Sequence, residues 1–146
     1  RMDGGDVLRF GDNFLVGRSK RTNRQGIDDL GKFLEKRNYG LHVIEVPPES
    51  LHLISVCTSP VPGKLLAPEG WFSESDFPTD SEIIWIPKEE AYAANVLPIG
   101  NKIMMAKGYH FTYNILKSLN LEVHEMEMSQ FREADGSLTC LSVLYD

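Results

Sequence analysis

Cysteine is scarce: Cys57 and Cys140 are the only thiols in 146 residues. Two are too few for a secreted disulfide framework. Free thiols in a reducing compartment are the expected state, with a single Cys57–Cys140 bridge as the alternative. The cytoplasm is therefore the expected location. Neither a CxxC pair nor a Cys/His pair at zinc-ligand spacing occurs, so no metal and no cofactor is expected. Long apolar runs are missing too, and none approaches the roughly 18–20 residues of a membrane span. The stretch Arg1-Met2-Asp3-Gly4-Gly5-Asp6 lacks the apolar segment of a signal peptide. Positive charge is in deficit, with 15 Lys and Arg against 21 Asp and Glu and a net charge of −6. Beyond Arg18, Lys20 and Arg21 there is no basic block, which argues against a nucleic-acid partner. What remains is a chain of 146 residues, within the roughly 100–200 of one domain and long enough to bury a core without staples.

The pattern along that chain repeats. Val7-Leu8-Arg9-Phe10-Gly11-Asp12-Asn13-Phe14-Leu15-Val16 reads as two short strands around a Gly-Asp turn. Thr22 or Asn23 can cap a helix with apolar positions Ile27, Leu30, Phe33 and Leu34. Asn38-Tyr39-Gly40 ends it, and Leu41 to Val46 is a third strand. This ββαβ unit returns 89 residues later: Val96-Leu97-Pro98-Ile99-Gly100-Asn101-Lys102-Ile103-Met104-Met105, then a helix through Tyr113, Leu116 and Leu119, then the strand Leu121 to Met126. A looser copy lies between, with Leu51 to Cys57 and Gly63 to Ala67 as its hairpin, an aromatic stretch around Trp71, and Glu82 to Ile86 as its last strand. Pro60 to Pro62 and Ser73 to Thr79 read as surface connections. Leu138 to Leu144 reads as the first strand of a further copy. A ββα unit cannot bury its own apolar face, so the modules are expected to stack around an axis. The abrupt start and the unpaired last strand suggest the C-terminal part of a larger closed structure.

Three polar residues occupy related places in the repeat. Asp3 precedes the first strand of one copy, His52 begins the next, and Cys140 lies in the first strand of the last. Around an axis, equivalent positions converge, and a thiol, an imidazole and a carboxylate form a nucleophile–base–orienter set. A free thiol is mostly protonated at neutral pH and needs a neighbouring positive charge to react. Each residue also has a plainer reading. Cys140 can be a small buried hydrophobe, His52 a core residue between Leu51 and Leu53, and Asp3 a turn residue. Arg21 beside Lys20 can be a solvated loop charge, and His42, His110 and His124 have no evident partners.

Met2-Asp3-Gly4-Gly5-Asp6-Val7-Leu8, Gly17-Arg18-Ser19-Lys20-Arg21-Thr22-Asn23, Leu51-His52-Leu53 and Asp135-Gly136-Ser137-Leu138-Thr139-Cys140-Leu141-Ser142 stand in order along nearly the whole chain. Together they resemble the dimethylarginine dimethylaminohydrolase family, part of the guanidino-group-modifying superfamily with arginine deiminases and amidinotransferases. The resemblance implies an α/β fold, a pseudo-symmetric α/β propeller (pentein) of ββαβ modules. About three modules are present in this chain. Residues 1–146 would then be the C-terminal part of one catalytic domain, with about two modules absent on the N-terminal side.

It also implies roles: Cys140 as nucleophile on the guanidinium carbon, His52 as general acid/base, and Asp3 as the carboxylate that orients the imidazole. Arg21 would bind the substrate's α-carboxylate, a task suited to a planar bidentate donor. Ala134 falls where the family uses a main-chain contact to the amino-acid end, commonly with a larger aliphatic side chain. The implied reaction converts an N-methylated arginine to citrulline and an alkylamine through a covalent thiouronium. Deiminases and amidinotransferases typically show His-x-Asp, whereas this chain has His52-Leu53-Ile54. The missing acid favours a methylated guanidino group. An arginine deiminase-like or amidinotransferase-like protein is the alternative, as is a catalytically incomplete fragment. The expected partners are a small guanidino substrate and the missing modules or a second chain, and the isolated chain is expected to be inactive.

Overall fold

The computed structural model describes residues 1–144. Among these residues, nine strands form three separate three-stranded sheets, ordered β1-β2-β3, β4-β5-β6 and β7-β8-β9. Each sheet has an antiparallel hairpin followed by a parallel third strand. The first module holds β1 (Val7–Phe10), β2 (Asn13–Arg18), helix α1 (Arg24–Glu35) and β3 (Gly40–Glu45). The second holds β4 (Thr58–Val61), β5 (Lys64–Pro68) and β6 (Glu82–Ile86). The third holds β7 (Leu97–Ile99), β8 (Lys102–Ala106), α2 (His110–Ser118) and β9 (Glu122–Met126), and a short α3 (Ser129–Glu133) follows. The repeat read from the sequence is the repeat of the fold.

Local chemistry explains the outer two modules. Gly11 and Gly100 take φ of 59° and 62° at the tips of the two hairpins, a left-handed conformation that costs glycine little. They place Phe10 opposite Asn13 and Ile99 opposite Lys102. Asn23 caps α1, its side chain accepting from the Gly26 amide at 3.0 Å. Ile27 and Leu34 face the core, but Phe33, expected on the same stripe, is 51% exposed. It sits beside Leu34 in sequence and so about 100° round the helix, where the Arg37 guanidinium lies 3.7 Å from its ring centroid.

The middle module departs from expectation. Leu51–Cys57 is not a strand; it contains a 3-10 turn over Leu53–Ser55. The Leu53 amide donates to the Asp6 side chain and the Ile54 carbonyl accepts from the Asn95 side chain, so these backbone groups are taken by neighbouring modules and not by a ladder. The strand begins at Thr58 and contains Pro60, which is buried instead of lying in a surface connection. An irregular edge strand tolerates this residue, which has no amide to donate. No α-helix joins β5 to β6. That connection inserts Phe72 and Phe77 into the core, rings 5.4 Å apart, so Ser73–Thr79 is not wholly a surface tract.

The segment around Cys140 also differs from the expected strand: Thr139–Leu141 is a 3-10 turn. Its amides close locally, Leu141 onto the Ser137 carbonyl at 3.3 Å and Ser142 onto that of Thr139 at 3.4 Å. The Thr139 amide is held by Asn95. Extended backbone resumes only at Ser142.

The apolar clusters lie between modules. Phe10, Leu15 and Ile44 of the first pack with Leu53, Val56, Cys57, Leu65 and Ala67 of the second. Leu66, Ile84 and Ile86 of the second pack with Val96, Ile103, Met105 and Leu116 of the third. A smaller cluster joins Leu97 and Ala106 to Met128 and Leu138. Among the described residues, no helix is long and apolar enough to cross a membrane. Leu66 is fully buried at the second junction, so Leu66→Ala is expected to destabilise the protein by about 2–5 kcal/mol. A shift in the urea midpoint checks this, and a change under roughly 0.5 kcal/mol would mean that the junction is not a packed core.

Candidate active site

Each first strand is entered through a short 3-10 turn: Gly4–Asp6 before β1, Leu53–Ser55 before β4 and Lys88–Ala94 before β7. Thr139–Leu141 is a further turn of this kind. Asp3 caps the first, His52 occupies the cap position of the second, and Cys140 sits within the last.

The Asp3 carboxylate accepts from the Gly5 amide at 3.0 Å. The buried His52 ring presents Nδ1 3.8 Å from Asp3 Oδ1 and 3.9 Å from Asp6 Oδ1. It packs so closely on the first turn that a Cβ on Gly5 would lie 2.7 Å from the ring's Cγ; only a residue without a side chain fits there. Arg21 Nη1 lies 3.6 Å from Asp3 Oδ2, with its guanidinium half exposed. The Gly5 amide holds Asp3 below the usual carboxylate range, and the charges of His52 and Arg21 act in the same direction against partial desolvation.

Asp6 is fully buried. Its Oδ2 accepts from Ser19 Oγ and from Thr22 Oγ1, each at 2.6 Å, and its Oδ1 accepts from the Leu53 amide at 3.0 Å. Asn95 has a matching place before β7. Its Nδ2 donates to the Ile54 carbonyl at 2.6 Å and to Thr139 Oγ1 at 2.7 Å, while its Oδ1 accepts from the Thr139 amide at 3.1 Å. One side chain thus ties the turn after His52 to the residue before Cys140. Cys140 is an exposed free thiol with Ser137 Oγ 3.2 Å from its sulfur. Cys57 is free and fully buried, and burial pushes its thiol up to about 12.

The structure therefore brings Asp3, His52 and Arg21 into one cluster and links the Cys140 turn to it through Asn95. Ala134 is exposed at the end of α3, its amide bonded to the Phe131 carbonyl at 3.0 Å. Sequence reasoning missed Asp6, Ser19, Thr22 and Asn95. A usable signal was present: Asp6-Val7-Leu8 and Asn95-Val96-Leu97 place a polar residue at the same repeat position. Of the histidines without evident partners, His42 has one, its Nε2 lying 2.9 Å from the Asp76 carbonyl, while His124 Nε2 approaches Glu122 Oε1 to 3.0 Å without forming a hydrogen bond. Among the described residues, no group of three or more His, Cys, Asp or Glu side chains is placed to hold a metal ion.

No family model matches the sequence. A curated relative from Pseudomonas aeruginosa, an N(G),N(G)-dimethylarginine dimethylaminohydrolase, is 33% identical over 144 residues, covering 99% of this chain and 56% of the relative. A protein of the same name from Streptomyces coelicolor is 35% identical over 150 residues, again 99% of this chain and 56% of the relative. A solved structure of the Pseudomonas aeruginosa protein, a cysteine-to-serine mutant complexed with citrulline, matches with a TM-score of 0.87 at 33% identity, over 97% of this chain and 55% of that one. This chain is a homologue of the dimethylarginine dimethylaminohydrolases. An amidinotransferase from Microseira wollei shares the fold at 23% identity, with a TM-score of 0.83 over 94% of this chain and 45% of its own. The fold is that of the α/β propeller, or pentein, which the family resemblance implied. The chain spans about half the length of the curated relatives it matches.

Two measurements check the site's chemistry. Iodoacetamide at about pH 8 is expected to label Cys140 in the folded protein and spare Cys57, with both labelled after unfolding. Peptide mass spectrometry reads the outcome, and labelled Cys57 in folded protein would show that the first junction is open. Asp3 is held below its ordinary value, so its contribution to stability is complete above the unfolded carboxylate's range. It is lost as the pH falls through that range to the lowered value. Wild type and Asp3→Asn should therefore differ in urea midpoint at neutral pH and converge below about pH 4. A constant gap across the series would contradict the ion contacts.

Proposed function

We propose that this chain is the C-terminal part of an α/β-propeller amidine hydrolase that acts on the guanidino group of N-methylated arginine. The reading is supported chiefly by the placement of a buried imidazole against Asp3, with an exposed thiol on the equivalent turn of the repeat. In this reading the Cys140 thiolate adds to the guanidinium carbon and the C–N bond to the methylated nitrogen breaks. His52 supplies the proton that the departing alkylamine carries away, leaving a thiouronium on Cys140. Water then adds to the same carbon after giving a proton to His52. The C–S bond breaks as the added oxygen gives up its remaining proton to the released amine or to solvent, and citrulline and the thiolate are released. Asp3 faces the Nδ1 side of the imidazole at 3.8 Å, an ion contact longer than a hydrogen bond, and Nε2 is left to exchange protons with the substrate.

Arg21 binds the substrate's α-carboxylate, and the main chain at Ala134 meets the amino-acid end. Its contact with Asp3 holds the guanidinium of Arg21 while leaving it half exposed for a ligand. Carboxylates that neutralise the guanidinium would come from the missing N-terminal modules or from a second chain. Ile54 follows His52 by two residues, where an acid would suit an unmethylated guanidinium. Its aliphatic side chain favours the methylated substrate over a deiminase or amidinotransferase reaction.

Product analysis of the complete polypeptide with dimethylarginine, monomethylarginine and arginine tests the proposal. Citrulline is expected from the methylated substrates. Cys140→Ser should fold normally and retain less than roughly a tenth of the rate, because an alcohol is the weaker nucleophile. Substantial activity in that variant removes Cys140 from the nucleophile's role.

A further inference from the structure

Besides the partly exposed Asp3, the first module contains a buried carboxylate that the proposed chemistry does not use. Asp6 has no exposed surface, and an ionised carboxylate is costly there unless donors surround it. Its donors come from two separate segments. Ser19 and Thr22 belong to the loop that carries Arg21, and Leu53 is the neighbour of His52.

The hydroxyls have no freedom to reverse their roles. Ser19 Oγ already accepts from the Arg21 amide at 3.0 Å and from the Thr22 amide at 3.2 Å. A hydroxyl has two acceptor sites and one hydrogen, so the hydrogen of Ser19 can only go to Asp6. Thr22 Oγ1 accepts from the Asp3 amide at 3.0 Å and likewise turns its hydrogen to Asp6. Position 6 therefore faces three donors and must be purely an acceptor. The pseudo-equivalent Asn95 faces a carbonyl, a hydroxyl and an amide, and there both ends of a neutral amide find partners. In the outer two modules this position carries a polar clasp, and the choice of an acid at position 6 is dictated by the Arg21 loop.

We propose that Asp6 is a positioning residue that locks the Arg21 loop to the His52 turn, so that the substrate's carboxylate anchor and the acid/base group keep one fixed spacing. This rests on the roles proposed above for Arg21 and His52. The consequence is that Asp6 governs discrimination for the amino-acid end of the substrate as well as the alignment of His52, although it touches neither substrate nor thiol. When one of the two hydroxyls of the loop arm is removed, Oδ2 is held by a single donor, and the looser carboxylate holds the Leu53 amide on the next module less firmly through Oδ1.

Ser19→Ala cuts that arm and leaves Asp6, Arg21 and His52 in place; Thr22→Val cuts the other hydroxyl at nearly constant shape and serves where the first variant misfolds. Native-state hydrogen exchange in the complete polypeptide is expected to show the Leu53 amide exchanging about tenfold faster or more, with the amides of β8 unchanged. Faster exchange confined to Arg21 and Thr22, with Leu53 still protected, overturns the lock. In turnover, KM for methylarginine should rise several-fold while KM for a methylated alkylguanidine without an α-carboxylate stays put. An unchanged ratio of the two overturns the assigned role in discrimination. If no variant or wild type forms citrulline at all, the proposed reaction falls, and the exchange of Leu53 still decides whether the lock exists.

Discussion

The central sheet is buried on two faces by two different neighbours. Leu65 and Ala67 of β5 point into the cluster shared with the first module, while Leu66 between them points into the cluster shared with the third. The alternation of side chains along a strand makes this possible, and the rest of the architecture depends on it. A module of roughly 40 residues is too small to bury an adequate core alone, so each module's stability resides in its contacts with the next. The turns that carry Asp3, His52 and Cys140 lie at these junctions, which ties the candidate site to packing between modules.

Apolar packing leaves the relative rotation of modules loosely specified; buried polar contacts fix it. A polar residue at the entry to the first strand serves this purpose in the outer modules: Asp6, directly before β1, reaches the Leu53 amide, and Asn95, two residues before β7, reaches Ile54 and Thr139. In the middle module that position is Cys57, and the next residue takes over. Thr58 Oγ1 donates to the Ala94 carbonyl at 2.5 Å and accepts from the Val96 amide at 3.4 Å. The same stretch of backbone is thus clasped at each junction by a different chemical group.

The parts of this fold written in local pattern were legible in the sequence. The two Gly-Asp and Gly-Asn hairpins, the capped helix after Asn23 and the existence of the third strands follow from turn chemistry and periodicity acting over a few residues. Leu51–Cys57 was not, because its backbone partners, Asp6 and Asn95, are about 40 residues away in either direction. The turn at Cys140 escaped for the same reason, through Thr139 and Asn95. Phe33 was misplaced because a three-residue spacing from Leu30 suits the apolar stripe, and only Leu34 next to it continues the buried line from Ile27. Of the site, the Asp3–His52–Arg21 cluster was visible through repeat position and family resemblance. Asp6, Ser19 and Thr22 were not, since matching donors to acceptors across a fold leaves no mark on composition or spacing.

The burial of Cys57 settles how this protein meets an oxidant. A fully buried thiol held in its protonated form offers neither the anion nor the access that peroxides and disulfides require, so of the two thiols only Cys140 is open to oxidation. The Cys57–Cys140 bridge is closed off as an internal sink, with both cysteines free and only one of them at the surface. The oxidation products open to an exposed thiol such as Cys140 are a sulfenic acid or a mixed disulfide with a small thiol, states that thiol reductants reverse. Insult and repair fall on the one atom that the proposed chemistry needs, while the sulfur in the core remains a spectator.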